Sequence, residues 1–164
     1  MACQKPIVVS TQEGNFLKVQ ASTVIDRAVE DVWEFVSDFG SAPEWKFAEG
    51  VKQTSAGPLG VGTTFQHWTH LMGKRLVYED RITAWEPNKK LMVMSEKNFR
   101  NRPAYVEITL EPVGGKTRLT MITALERPTG LSPWRLLMPI LVWTFKRGKL
   151  EGNIRRILES QTLS

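Results

Sequence analysis

Over residues 132–160 the apolar positions Leu136, Ile140, Trp143, Leu150, Ile154 and Ile157 recur at steps of three, four or seven. That spacing draws one apolar stripe along a long helix. Ser132-Pro133 suits its start, since a serine hydroxyl caps free backbone N–H groups and proline fits the first helical position. Pro139 is expected to kink it near its first turns, because proline donates no N–H and crowds the carbonyl four residues back. Arg147 falls on the same stripe, beside Gly148. Two readings of it stand open. It lies on the stripe's edge and snorkels to water, or it faces a pocket and meets an acidic ligand or a strand carboxylate.

Upstream of that helix the dominant period is two. Val19, Ala21, Thr23 and Ile25 alternate with Lys18, Gln20, Ser22 and Asp26, the pattern of a half-buried strand over 16–26. Ile7-Val8-Val9 is a candidate short strand before it. Residues 28–39 switch to helical spacing, with Val29, Val32, Trp33 and Val36 on one stripe, Phe35 and Phe39 alongside, Asp26 as the nearest cap and Gly40 as the stop. Pro43 in 41–45 points to a short second helix. Strands are then expected over 51–55, 63–71, 75–85, 90–96, 105–111 and 117–125. The connections are short enough to require antiparallel neighbours. The order is strand, two helices, a six-strand meander and one long helix, an α+β arrangement. An antiparallel sheet of that length curls, buries one face and needs a cover, which the last helix is long enough to provide.

The pleat sorts the strand residues into two faces. The more apolar set is expected inward: Phe65, His67, Thr69 and Leu71 on one strand, and Leu76, Tyr78, Asp80, Ile82 and Ala84 on the next. Val106, Ile108 and Leu110 follow, with Leu119, Met121, Thr123 and Leu125 on the last strand. For 90–96 the alternation leaves both assignments open, Met92 and Met94 against Leu91, Val93 and Ser95.

A chain of 164 residues with 41% apolar side chains is most simply one domain over 1–164 with a proper core. Pro and Gly are spread through it, without a linker, repeat or low-complexity tract. The single cysteine, Cys3, excludes an intrachain disulfide, which fits a reducing compartment. The beginning of the chain lacks a signal-peptide pattern, and its most apolar run, 133–145, is too short to span a bilayer. A soluble, cytoplasmic protein is expected. The net charge is +5. The basic residues Lys146, Arg147, Lys149, Arg155 and Arg156 concentrate on the last helix, while elsewhere both signs are interleaved. No nucleic-acid motif accompanies them, so nucleic acid is not the expected partner. Peripheral contact with an anionic membrane is the alternative to a solvated helix face, and Trp134 would serve as an interfacial anchor. No pattern specifies an oligomer.

The element order and several local phrases resemble the SRPBCC (START-like, helix-grip) superfamily, in its polyketide cyclase/dehydrase and lipid-transport branch. The phrases run from Ala28 through Trp33-Glu34-Phe35-Val36 to Phe39, then Pro43-Glu44-Trp45, Gly60-Val61-Gly62-Thr63-Thr64-Phe65, Arg81 through Trp85-Glu86-Pro87 to Leu91, and Gly114 to Thr120. The resemblance covers about 17–160. It implies a helix-grip fold, a curved sheet of about six or seven strands wrapped around the last helix, with two short helices after the first strand. It also implies an apolar cavity between sheet and helix, and a hydrophobic small-molecule ligand such as a lipid, polyketide or aromatic compound. No single reaction follows, because members include binders, transporters and cyclases.

Among the inward residues, His67 with Asp80 and Tyr78 is the best acid–base constellation. Histidine exchanges a proton near neutral pH, and a buried carboxylate would orient it. Such a set suits a cyclase or dehydratase. The competing reading makes His67 and Tyr78 core residues with satisfied hydrogen bonds, and pairs Asp80 with a neighbouring cation. His70 is expected to face solvent. The two histidines stand three apart on a strand and point to opposite faces, a poor metal pair, so no metal is expected. No phosphate-cradling loop, dinucleotide fingerprint or nucleophile elbow is present, so no cofactor is expected. Gly57 to Gly62 is read as a loop shaping the cavity mouth. Of the 6 tryptophans, Trp45 and Trp143 are placed nearest the cavity. Phe65, Thr69, Ile108, Met121 and Arg147 complete the expected ligand-contacting set.

Overall fold

A computed structural model describes residues 7–13, 16–39, 49–71, 74–95 and 103–126. The long helix expected over 132–160, with its basic residues, and the short helix expected over 41–45 lie outside these residues. The described elements run in chain order as strand β1 (Ile7–Glu13), strand β2 (Phe16–Ile25), helix α1 (Val29–Ser37), then strands β3 (Gly50–Gln53), β4 (Thr64–Leu71), β5 (Lys74–Glu86), β6 (Lys90–Ser95), β7 (Ala104–Val113) and β8 (Lys116–Glu126). They form one antiparallel sheet of 8 strands in the order β1-β2-β8-β7-β6-β5-β4-β3. The expected meander from β3 to β8 is present. It folds back so that β8 lies beside β2, and the lead-in candidate Ile7-Val8-Val9 extends into a full edge strand.

The inner face is apolar because the alternating residues of neighbouring strands fall in register. Ile82 stands opposite Val93, Leu91 opposite Ile108, Ile108 opposite Met121, Leu110 opposite Leu119, and Leu119 opposite Thr23. Ile82 and Leu119 are fully buried, and Leu91, Ile108, Leu110 and Met121 nearly so. These registers settle the faces of β6: Leu91, Val93 and Ser95 point inward, and Met92 and Met94 outward. Helix α1 lays Val32, Trp33, Phe35 and Val36 onto this face. Glu30 and Asp31 occupy its first turn, where the helix dipole favours anions. Its N-cap is Ala28, without a side-chain cap, rather than Asp26, whose carboxylate instead pairs with Lys116 at 2.8 Å. The helix stops at Ser37, before the expected Gly40, with Asp38 as C-cap. The β2–α1 turn is pinned to β8 by the buried Thr117 hydroxyl, which donates to the Arg27 carbonyl at 2.8 Å.

One expectation on β5 is overturned. The register passes from Ile82 opposite Val93 to Ala84 opposite Met92, so Thr83 is an extra residue on β5. Such a bulge exchanges the faces beyond it. Trp85, not Ala84, therefore shares the face of Leu91, and its ring meets Trp33 of α1 edge-on at 5.1 Å and 74°. The β7–β8 hairpin closes on Gly114 and Gly115, with φ of 57° and 77°. Both values are positive, as a two-residue primed turn requires, and glycine adopts them without a Cβ penalty. On β3, Gly50 stands opposite Trp68, and a Cβ there would lie 2.2 Å from the indole. The missing side chain lets that ring lie over the edge strand, with the Arg75 guanidinium 4.7 Å from its centroid.

Among the described residues no helix is long and apolar enough to cross a membrane.

Candidate functional site

Three adjacent strands bring the polar residues of the inner face together. The β4–β5 register sets Phe65 opposite Asp80 and His67 opposite Tyr78, and the β5–β6 register sets Asp80 opposite Ser95. All five side chains share one face. His67 and Tyr78 are a direct cross-strand pair, and their rings stack at 4.6 Å and 8°. His67 reaches diagonally to Asp80, with Nδ1 2.7 Å from Oδ2. From the other side the Ser95 hydroxyl donates a hydrogen bond to Asp80 Oδ1. Both oxygens of the Asp80 carboxyl are thus engaged, and the residue is only 7% exposed. Buried Phe65, Ile82 and Val93 surround it in the register. The His67 side chain is 21% exposed, so the ring spans the step from buried carboxyl to accessible surface.

Among the described residues the Asp80 carboxyl oxygens meet His67 and Ser95. The constellation expected from the sequence is therefore assembled as a contact network. Ser95 is the member that sequence reasoning missed. Its only signal is the alternation of β6, which balances methionines against a Leu-Val-Ser face and becomes decisive once Asp80 is known to stand opposite it.

Burial raises the Tyr78 hydroxyl pKa above its ordinary value, and the nearby Asp80 carboxylate adds to the effect. The phenol therefore remains a hydrogen-bond donor across the neutral range. Its contribution to stability is fully present below the unfolded value of about 10 and is lost as pH rises through the higher folded value. In a Tyr105→Phe protein, which leaves Tyr78 as the only tyrosine, absorbance titration should place the phenol's midpoint above 10.0. A midpoint at or below that value would contradict its burial beside a carboxylate.

The other expected residues divide. Phe65 is 2% exposed and stacks on Phe39 at 4.1 Å and 13°, locking the chain just beyond α1 to β4. Ile108 and Met121 face each other in the core at 2% and 3% exposure, so they form the floor of the inner face. Thr69 lies on β4 opposite Leu76. The side chain of Thr69, like Trp45, Trp143 and Arg147, lies outside the described residues. Among the described residues, Trp33 and Trp85 meet edge-on. Leu59, from the glycine-rich loop, helps line a cavity of about 230 Å³ with Asp38, Phe39, Val51, Gln53 and Phe65. This concavity lies at the end of α1 beside Phe65. A larger depression, about 340 Å³, is lined by Thr54, Thr64, Phe65, Gln66, Glu79, Asp80, Arg81 and Met94.

His70 is exposed as expected. Its backbone N–H donates to Glu49 Oε1 at 2.9 Å, and its ring pairs with Oε2. Those two hydrogen bonds hold the Glu49 carboxyl below the usual carboxylate range. The histidines therefore have separate carboxylate partners on opposite faces. Among the described residues no group of three metal-ligating side chains forms.

The chain matches the model of the family described as polyketide cyclase / dehydrase and lipid transport over residues 17–160. No curated protein matches it. Among solved structures it is similar to a START superfamily protein from Mycobacterium smegmatis, with a TM-score of 0.70 at 16% identity, covering 88% of this chain and 98% of that one. A Thermus thermophilus protein gives a TM-score of 0.68 at 17% identity, with the same two coverages, 88% and 98%. The protein Ara h 8.0201 gives 0.65 at 15% identity, covering 90% of this chain and 98% of that one. At these identities the structural likeness concerns the fold, while the sequence match spans most of the chain. The chain belongs to the polyketide cyclase / dehydrase and lipid transport family.

Proposed function

We propose that the chain binds a hydrophobic small molecule, such as a lipid, polyketide or aromatic compound, against the inner face of its sheet. One observation carries this reading. A face that carries Ile82, Leu91, Val93, Ile108 and Met121 also holds the polar network His67–Asp80–Ser95 beside Tyr78, with His67 at its accessible end. Apolar walls with few convergent polar groups are the usual make-up of a ligand site. The family match supports the same ligand class. Native mass spectrometry of freshly purified protein should show an adduct that organic extraction releases and identifies. A bare polypeptide mass, together with no retention of fluorescent fatty-acid or polyaromatic probes, would overturn the reading.

The 2.7 Å contact between His67 and Asp80 favours one further reading, an enzyme of cyclase or dehydratase type in which His67 is the general base. Atoms balance without a co-reactant. His67 takes a proton from an acidic carbon of the substrate, that carbon attacks an internal carbonyl carbon as the C=O π bond opens to an alkoxide, and the proton returns to that oxygen as a hydroxyl; removal of a second proton from the same carbon then forms the C=C bond and expels the hydroxyl, which leaves with that proton as water. With a substrate class from the extracted adduct, His67→Gln should lower turnover by about a hundredfold or more. Unchanged turnover would remove His67 from the chemistry.

A further inference from the structure

The Ser95–Asp80–His67 chain has a direction. Ser95 Oγ donates to Asp80 Oδ1, and His67 Nδ1 lies 2.7 Å from the other carboxyl oxygen. An ionised carboxyl can only accept hydrogen bonds. In the neutral imidazole the proton therefore resides on Nδ1, donated to Asp80, and Nε2 carries a lone pair on the far side of the ring. Among the described residues Nε2 has no partner. The ring's plane is fixed as well, by its stack on Tyr78. The result is one fixed acceptor at the accessible end of an apolar face.

We infer that His67 Nε2 is a specificity point that selects apolar ligands bearing a hydroxyl donor, a phenol or enol rather than its ether, and that Ser95 and Asp80 are the positioning residues that hold it in the accepting tautomer. The inference rests on the binding reading above and adds the polarity of the ligand's contact. Phenols and enols are a narrower class than lipids in general. A hydroxyl aimed at this nitrogen gains a hydrogen bond inside an apolar site, and a methoxy group at the same place leaves the nitrogen buried without one. Hydrogen-bonding sites discriminate in this way more sharply than apolar walls do.

The test pairs two probes with one scaffold, 2-naphthol and 2-methoxynaphthalene, and adds nitrogen NMR of the ring. In the parent protein at a pH where His67 is neutral, the NMR shifts should identify Nδ1 as protonated and Nε2 as the bare nitrogen. The naphthol should bind about tenfold more tightly than its ether. Asp80→Asn keeps the side-chain shape and presents an N–H to Nδ1. It should move the ring proton to Nε2 and erase the naphthol's advantage, and His67→Phe, which retains the stack on Tyr78, should erase it too. Ser95→Ala should loosen the tautomer preference in the NMR and narrow the gap. A ring protonated at Nε2 in the parent overturns the inference without reference to any ligand. Equal retention of both probes, or a preference untouched in both variants, overturns it while the binding reading stands. Retention of neither probe overturns the inference, and together with a bare polypeptide mass and no retention of fatty-acid probes it overturns the binding reading as well.

Discussion

Phe65→Ala should cost the protein about 3–5 kcal/mol, the range for deleting a buried phenylalanine and leaving a cavity. Phe65 is 2% exposed, stacks on Phe39 and stands opposite Asp80. Its ring thus joins the end of α1 to the strand that carries His67, and it fills the place between the core and the polar network. Urea denaturation should show a lower midpoint with an unchanged slope, the sign of lost stability in an otherwise two-state fold. Phe65→Leu should recover much of the loss, because most of the volume returns. A Phe65→Ala loss under about 1 kcal/mol would mean that the site collapses readily, contrary to a close-packed ring stack.

The second large effect concerns Asp80. Asp80→Ala removes the acceptor of both the Ser95 hydroxyl and the His67 ring N–H. A buried donor left unsatisfied costs about 1–3 kcal/mol, so the loss should be about 3 kcal/mol, moderated at His67 by its partial exposure. The companion result is non-additive. Asp80→Leu combined with Ser95→Ala and His67→Leu should be more stable than Asp80→Ala alone, because the Ser95 and His67 donors are removed together with their acceptor. A double-mutant cycle between Asp80 and Ser95 reads the coupling directly. Strictly additive losses at these two positions would show that the hydrogen bond between them contributes nothing to the fold.

The two predictions depend on features of unequal visibility in the sequence. Alternation alone places Phe65 inward, since Thr64, Phe65, Gln66 and His67 change faces at every step. The inward sets of β4 and β5 also hold His67, Tyr78 and Asp80 together, so three members of the network are legible without coordinates. Ser95 is not, because β6 is apolar on both faces and its alternation has no contrast. The face of Ala84 is misread for a related reason. One extra residue, Thr83, inverts every side chain beyond it, and nothing in the composition of Ile82-Thr83-Ala84-Trp85 marks which residue is the extra one. The N-cap of α1 follows the same pattern. Asp26 has the right chemistry for a cap, but Lys116, 90 positions away in the chain, pairs with it instead.

What the sequence determined by itself is the list of strands, the first helix and the inward half of most strands. These depend on local periodicity, and each residue's neighbours along the chain carry the information. Register and bulge position, the exchange of Trp85 for Ala84, and the engagement of Asp80 by Ser95 were decided only by the tertiary structure. Each of these depends on which residue of another strand stands opposite, and that choice minimises the free energy of the whole sheet rather than of any one segment. The hydrogen-bond direction at His67 belongs to the second group. It requires the three residues to meet, and they come from three strands whose alignment no single stretch of the chain contains.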